Sequence, residues 1–136
     1  ILGDNIIADD ISQPISNFGD VGGCHIFTKE VHDPERFGVL DYGETGWGGI
    51  EDIIEKPTNP PSNDAVIGLY MYDNTVFDKI RNLDPSERGE LEVTDLNRMY
   101  LQENKLTAHQ IKGTWIDCGT FDSLAKATQK FYHDKN

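Results

Sequence analysis

Two short stretches of the sequence set a carboxylate between apolar residues and a turn: Ile1-Leu2-Gly3-Asp4-Asn5 and Trp115-Ile116-Asp117-Cys118-Gly119-Thr120. Each reads as a buried strand that delivers its carboxylate to the rim of a sheet, where ligands of open α/β sheets bind. If Asp4 and Asp117 meet there, they offer hard oxygen ligands. Such a pair suits Mg²⁺, which is bound through one or two carboxylates and keeps waters and substrate phosphates as its other ligands. Asp at strand and helix ends is also an ordinary cap or turn residue, and that plainer role stays open on sequence alone.

Glu55-Lys56-Pro57 is the second candidate. Pro57 favours extended geometry at Lys56, which would send the Glu55 and Lys56 side chains to opposite sides. A Lys held at a strand exit can neutralise phosphate as a point charge, and a Glu beside it can accept sugar hydroxyls. A surface ion pair is the simpler alternative. The third candidate, Arg88-Gly89-Glu90-Leu91-Glu92-Val93-Thr94-Asp95, loads the first turn of a helix with acid, as the helix dipole favours. Arg88 at its loop tip could contact phosphate or carboxylate, or simply be solvated. His25, His32, His109 and His133 show no metal-ligand spacing, and no Walker-type loop, GxGxxG or Ser/His/Asp arrangement occurs.

The elements that must position these residues alternate between strand and helix. Asp9-Asp10 caps a helix marked by Ile11, Ile15 and Phe18 and closed by Gly19. Strands are expected from about Gly23 to Val31, over 37–42 and over 50–55, the last two forming a hairpin across the Gly-rich turn 43–49. Three prolines exclude regular structure over 57–62. The apolar run 65–72 is the strongest strand. Asp73-Asn74 caps a helix with Val76, Phe77, Ile80 and Leu83 on one face. A second helix follows, with Leu91 or Val93, Leu96 and Tyr100 on a stripe. Strands at 106–111 and 114–117 lead into a last helix bearing Phe121, Leu124, Ala125, Thr128 and Phe131. This order predicts an α/β fold with a mixed, mostly parallel sheet flanked by helices.

The 136 residues fit a single domain over 1–136. A net charge of -12 argues against nucleic acid as a partner. The mean hydropathy of -0.53 and the lack of a long apolar run argue against a membrane span. Cys24 and Cys118 have no CxxC spacing and read as reduced thiols. With no targeting segment in evidence, the cytoplasm is the default location. An apolar first residue without Met suggests that sequence precedes Ile1.

Six motifs in order, Leu2-Gly3-Asp4-Asn5, Asp33-Pro34-Glu35-Arg36-Phe37-Gly38-Val39, Glu55-Lys56-Pro57, Gly68-Leu69-Tyr70-Met71-Tyr72-Asp73, the Arg88–Asp95 stretch and the Trp115–Thr120 stretch, resemble the sugar-nucleotidyltransferases, and among them the glucose-1-phosphate thymidylyltransferase branch. The resemblance covers essentially the whole chain. It implies a Rossmann-like nucleotidyltransferase fold without its N-terminal strands, and a Mg²⁺-dependent reaction of glucose 1-phosphate with dTTP that gives dTDP-glucose and pyrophosphate. It makes Asp4 and Asp117 the metal aspartates, Lys56 the holder of the sugar phosphate and Glu55 the acceptor of sugar hydroxyls. Gly38 and Val66 would line the sugar pocket, with Arg88 and Glu90 as further active-site positions. Phe37 stands where Tyr is usual, and Cys118 where Thr is common. The family opens with a Gly-rich loop carrying Arg and Lys that binds the triphosphate, and this sequence begins after it. Little or no transferase activity is therefore expected of these 136 residues alone. A non-catalytic sugar-phosphate-binding or assembly module is the alternative. Self-association is expected, because an exposed sheet edge recruits partners.

Overall fold

The computed structural model describes residues 1–44, 49–86 and 89–133. Five strands form one sheet: β2 (Cys24–Glu30), β3 (Gly38–Asp41), β4 (Asp52–Glu55), β5 (Asp64–Tyr72) and β6 (Leu106–Gln110), in the spatial order β4-β3-β5-β2-β6. A separate two-stranded ribbon joins β1 (Asn5–Ala8) to β7 (Thr114–Asp117). The helices are α1 (Ser12–Val21), α2 (Val76–Arg81), α3 (Val93–Gln102) and α4 (Phe121–His133), and a 3-10 turn spans Pro34–Arg36. Among the described residues, no helix is long and apolar enough to cross a membrane.

The mixed α/β sheet is as expected, but its balance is not. Among the described strand pairs only β2 and β6 run parallel. β2/β5, β3/β4, β3/β5 and β1/β7 are antiparallel. Alternating strands and helices suggest parallel order only where a helix makes the crossover. Here β3 returns directly into β4 as a hairpin. The irregular stretch that follows β4, with its three prolines, then leads into β5 on the other side of β3, in the same direction as β4 and so again antiparallel to β3.

The apolar runs of β2 and β5 follow from burial on both faces. On one face Cys24, Ile26 and Val66 pack with Leu40, Ile53 and with Leu96 and Tyr100 of α3. On the other, Phe27 and Ile67 pack with Ile111 and the half-buried Ile7, Ile11 and Trp115. This second cluster seats the ribbon on the sheet, and each large side chain fully buried there contributes about 1.5–3 kcal/mol. Polar groups sew the same seam. Lys29 Nζ donates to the carbonyls of Ile111, Lys112 and Gly113 at 3.1, 3.2 and 2.9 Å. Asp9 Oδ2 accepts from the amides of Lys112 and Gly113, both at 2.8 Å, and these bonds hold its carboxyl below the usual range.

Three local expectations are corrected. The first helix runs through Gly19 and ends at Gly22, whose φ of 68° stops it. In α2 the expected apolar face is split. Val76 and Leu83 pack on the core, whereas Phe77 is 63% exposed and Lys79 only 8%. Lys79 Nζ is buried where it pairs with Glu103 and lies 4.6 Å from the centre of the Tyr100 ring. In α4, Phe121 is 92% exposed and Ala127 is the buried residue.

Cys24 and Cys118 are both free thiols. His25 Nδ1 and His109 Nε2 lie 2.9 Å apart across the parallel β2/β6 pair. Desolvation lowers the pKa of both rings, and for His109 the neighbouring imidazole lowers it further. A depressed folded-state pKa means that the folded chain binds fewer protons than the unfolded one. The stability this gives is present above the ordinary imidazole value of about 6.5 and is lost as pH falls toward the lowered values. Thermal unfolding is expected to show a falling midpoint between about pH 7.5 and 5.5, flattened in His109→Gln; an unchanged slope in that variant would refute the assignment.

Candidate active site

Asp4 immediately precedes β1, and Asp117 ends β7. The strands are antiparallel with Asn5 opposite Asp117, so the start of one and the end of the other share a rim. The Cys118 amide donates to the Asp4 carbonyl at 2.6 Å and fixes the two backbones there. A Cβ placed on Gly119 would stand 3.0 Å from Asp117 Oδ1 and 3.4 Å from Asp4 Oδ2, so the two carboxylates flank one point. The expectation that they meet holds. The expectation that Asp4 terminates a strand is corrected: it introduces one, and reversed pairing brings it to the right edge.

Each carboxylate is held. Asn5 Nδ2 donates to Asp4 Oδ1 at 2.8 Å, and the Gly119 amide donates to Asp117 Oδ1, also at 2.8 Å. Among the described residues, no group of three or more His, Cys, Asp or Glu could hold a metal. Two carboxylates with open coordination nevertheless fit Mg²⁺, whose remaining ligands are waters and substrate phosphate.

Across a cavity of about 240 Å³ from this pair stand residues of the five-stranded sheet. Asp4, Asp117, Gly38, Glu55, Lys56 and Val66 all line it. Glu90 does not line it, and Arg88 lies outside the described residues. Lys56 departs from the extended geometry expected before a proline, with φ 43°. Its amide donates to the Phe37 carbonyl at 2.9 Å, closing the β3/β4 ladder just as the chain must turn toward Pro57. The left-handed backbone brings both side chains to one side, with Lys56 Nζ 3.8 Å from Glu55 Oε1. A non-glycine residue in that region costs about 1–3 kcal/mol and concentrates where a site needs a particular side chain.

Glu55 is anchored from α3. Thr94, buried at the first turn, donates its hydroxyl to Glu55 Oε2. Gly38 makes room for this pair: a Cβ there would meet Thr94 Oγ1 at 3.0 Å and Glu55 Oε2 at 3.2 Å. Tyr70 also lines the cavity, and burial, helped by Glu55, pushes its phenol up to about 12, so it stays a neutral donor near pH 7. Trp115 forms another wall, its ring edge-on to Phe37 at 5.5 Å. Sequence reasoning quoted Asn5, Tyr70, Thr94 and Trp115 within motifs but gave them no roles. Thr94 in particular reads as one more first-turn residue of an acidic helix until β4 is seen beside it.

A family model described as nucleotidyl transferase matches residues 1–134. The chain belongs to that family. The glucose-1-phosphate thymidylyltransferase of Neisseria meningitidis serogroup A is 42% identical over 132 residues, which cover 93% of this chain and 45% of the relative. The low-salt glycan biosynthesis nucleotidyltransferase Agl11 of Haloferax volcanii is 38% identical over 138 residues, covering 99% and 38%. A solved Bacillus anthracis protein, assigned as a glucose-1-phosphate thymidylyltransferase and in complex with a sucrose, superposes with a TM-score of 0.85 at 44% identity, covering 96% of this chain and 52% of its own. The chain thus spans less than half the length of these curated relatives and has the mixed α/β sheet of the nucleotidyltransferase fold.

Thr94→Val keeps the shape of the side chain and removes the hydroxyl that Glu55 accepts. It is expected to cost about 1–3 kcal/mol of stability through the unpaired carboxylate oxygen, read by denaturant unfolding. An unaltered unfolding midpoint would show that Glu55 needs no anchor.

Proposed function

We propose that residues 1–136 form the sugar-phosphate and cation side of a nucleotidyltransferase site that joins glucose 1-phosphate to a nucleoside triphosphate, with thymidine as the favoured base. The observation that carries this is the meeting of Lys56 and Glu55 from the sheet with Asp4 and Asp117 from the ribbon around one cavity. The cavity is smaller than the roughly 300–1,000 Å³ of sites for larger ligands, which suits one sugar ring and its phosphate.

The chemistry asks for position and charge rather than a protein nucleophile. A phosphate oxygen of glucose 1-phosphate forms a bond to the α-phosphorus of the triphosphate, the bond from that phosphorus to the bridging β-phosphate oxygen breaks, and pyrophosphate leaves. Lys56 neutralises the sugar phosphate. Glu55, held by Thr94, accepts sugar hydroxyls and so orients the ring. Asp4 and Asp117 are the residues that would hold Mg²⁺, which when bound supplies charge neutralisation for the phosphates. The thymidine preference is supported by the names of the relatives at 42–44% identity. Agl11, whose name gives no base, makes a direct comparison of dTTP with UTP the test of that choice.

The backbone of Lys56 yields a test of binding. Lys56→Gly removes the ammonium and relieves the left-handed strain, so it is expected to raise stability by about 1 kcal/mol while abolishing glucose 1-phosphate binding in the presence of Mg²⁺. Calorimetry on the 136-residue chain reads the second effect and chemical denaturation the first. Failure of the unsubstituted chain to bind glucose 1-phosphate with Mg²⁺ present would overturn the proposed function.

A further inference from the structure

Asn5 joins three parts of the site through one amide. Its Nδ2 donates to Asp4 Oδ1 at 2.8 Å. Its Oδ1 accepts from Trp115 Nε1 at 2.7 Å and from the Gly68 amide at 3.0 Å. Gly68 belongs to β5 and Trp115 to β7, so the side chain bridges the sheet and the ribbon at the floor of the cavity. The fit is close: a Cβ on Gly68 would come within 2.6 Å of Asn5 Nδ2. Both acceptor directions of Oδ1 are in use, so the amide cannot rotate to offer oxygen to Asp4 without breaking two bonds. With Oδ1 of Asp4 taken by the amide, Oδ2 is the oxygen left on the Gly119 side, toward Asp117.

We infer that Asn5 is a positioning residue that orients the Asp4 carboxylate for a divalent cation and couples cation binding to the Trp115 wall of the sugar pocket. This rests on the proposed Mg²⁺ role of Asp4 and Asp117. A carboxylate free to rotate presents either oxygen; one pinned by a donor presents a single oxygen in a fixed direction, and loss of such a partner typically costs ten- to a hundredfold in metal affinity. Coupling is reciprocal, so whatever draws on Asp4 is felt at the indole that shares its anchor.

The test is a Mg²⁺ titration of the isotopically labelled 136-residue chain, following the Trp115 indole N–H resonance, identified with Trp47→Phe, together with the backbone amides of Asp4 and Gly119. In the unsubstituted chain the indole resonance is expected to move saturably with the same midpoint as the two amides, and in Asp4→Asn none of the three should move. Asn5→Leu removes the amide at similar size, and Asn5→Ser leaves room for a water to bridge Gly68 and Trp115 should the first variant not fold. Either is expected to weaken Mg²⁺ binding about tenfold and to uncouple the indole from the titration. Saturable movement of Gly119 with an unmoved indole, or unchanged Mg²⁺ affinity in a folded Asn5 variant, would overturn the inference while leaving the proposed function standing. No Mg²⁺-dependent change anywhere in the unsubstituted chain would overturn the cation reading and this inference with it.

Discussion

The antiparallel pairing of β1 with β7 is the constraint on which the site depends. It joins segments from opposite ends of the sequence through a register that puts Asn5 opposite Asp117. Had β1 run parallel to β7, Asp4 and Asp117 would stand at opposite ends of a four-residue ribbon, about 13 Å apart. Reversal costs nothing in side-chain chemistry and changes everything in geometry. The ribbon is too small to be stable alone, so its position is set by what it rests on. Phe27, Ile67 and Ile111 form the apolar seat. Lys29 and Asp9 fix the turn before β7 from its carbonyl side and its amide side respectively.

The cavity lies across that seam, which explains why Asp4 and Asp117 reach it from the ribbon while Lys56, Arg36 and Glu55 reach it from the body of the sheet. Several of the chain's cations are committed to architecture. Lys29 caps three carbonyls, Lys79 pairs with Glu103 and Arg98 with Asp52. Arg36 reaches the cavity but is bonded to Asp33 at 2.7 Å, which raises its pKa. Lys56 is half exposed, and its described ion pair with Glu55 is long, at 3.8 Å. It is the lysine of the cavity with charge to spare for a ligand, and the left-handed backbone beneath it is the cost of aiming it there.

Much of this could be read from residue types and spacing. β5 was legible because a nine-residue strand buried on both faces leaves a nearly unbroken apolar run. α3 was legible because Leu96 and Tyr100 face the core one helical turn apart. Asp4 and Asp117 were legible because small turn residues flank them. Strand direction was not, since the period of a strand is the same in either sense and only the links between strands reveal it. Nor was the left-handed turn at Lys56, because Pro57 favours the opposite conformation and only the ladder bond to Phe37 overrules it. The exposed Phe121 and Phe77 were misread because periodicity marks a helical face without saying whether anything covers it. Thr94 and Asn5 act through partners 39 and 110 residues away, and no local pattern carries that information.

The charge around the cavity ties these features together. Asp4, Asp117, Glu55 and Glu92 line it against Lys56 and Arg36, on a chain of net charge -12. The proposed sugar phosphate would bring further negative charge to a site already short of cations. Binding it therefore demands either that carboxylates be turned to another purpose or that positive charge be imported. In the proposed reading Glu55 is the first solution, since Thr94 holds it where it would accept hydroxyls from the ring and leave Lys56 beside it to meet the phosphate. Asp4 and Asp117 suit the second, because two carboxylates flanking one point repel each other until a cation stands between them. The acidity of this rim is then a condition of the proposed chemistry rather than an obstacle to it, and the neutral amide of Asn5 is well matched to hold such a carboxylate, adding a donor without adding a charge.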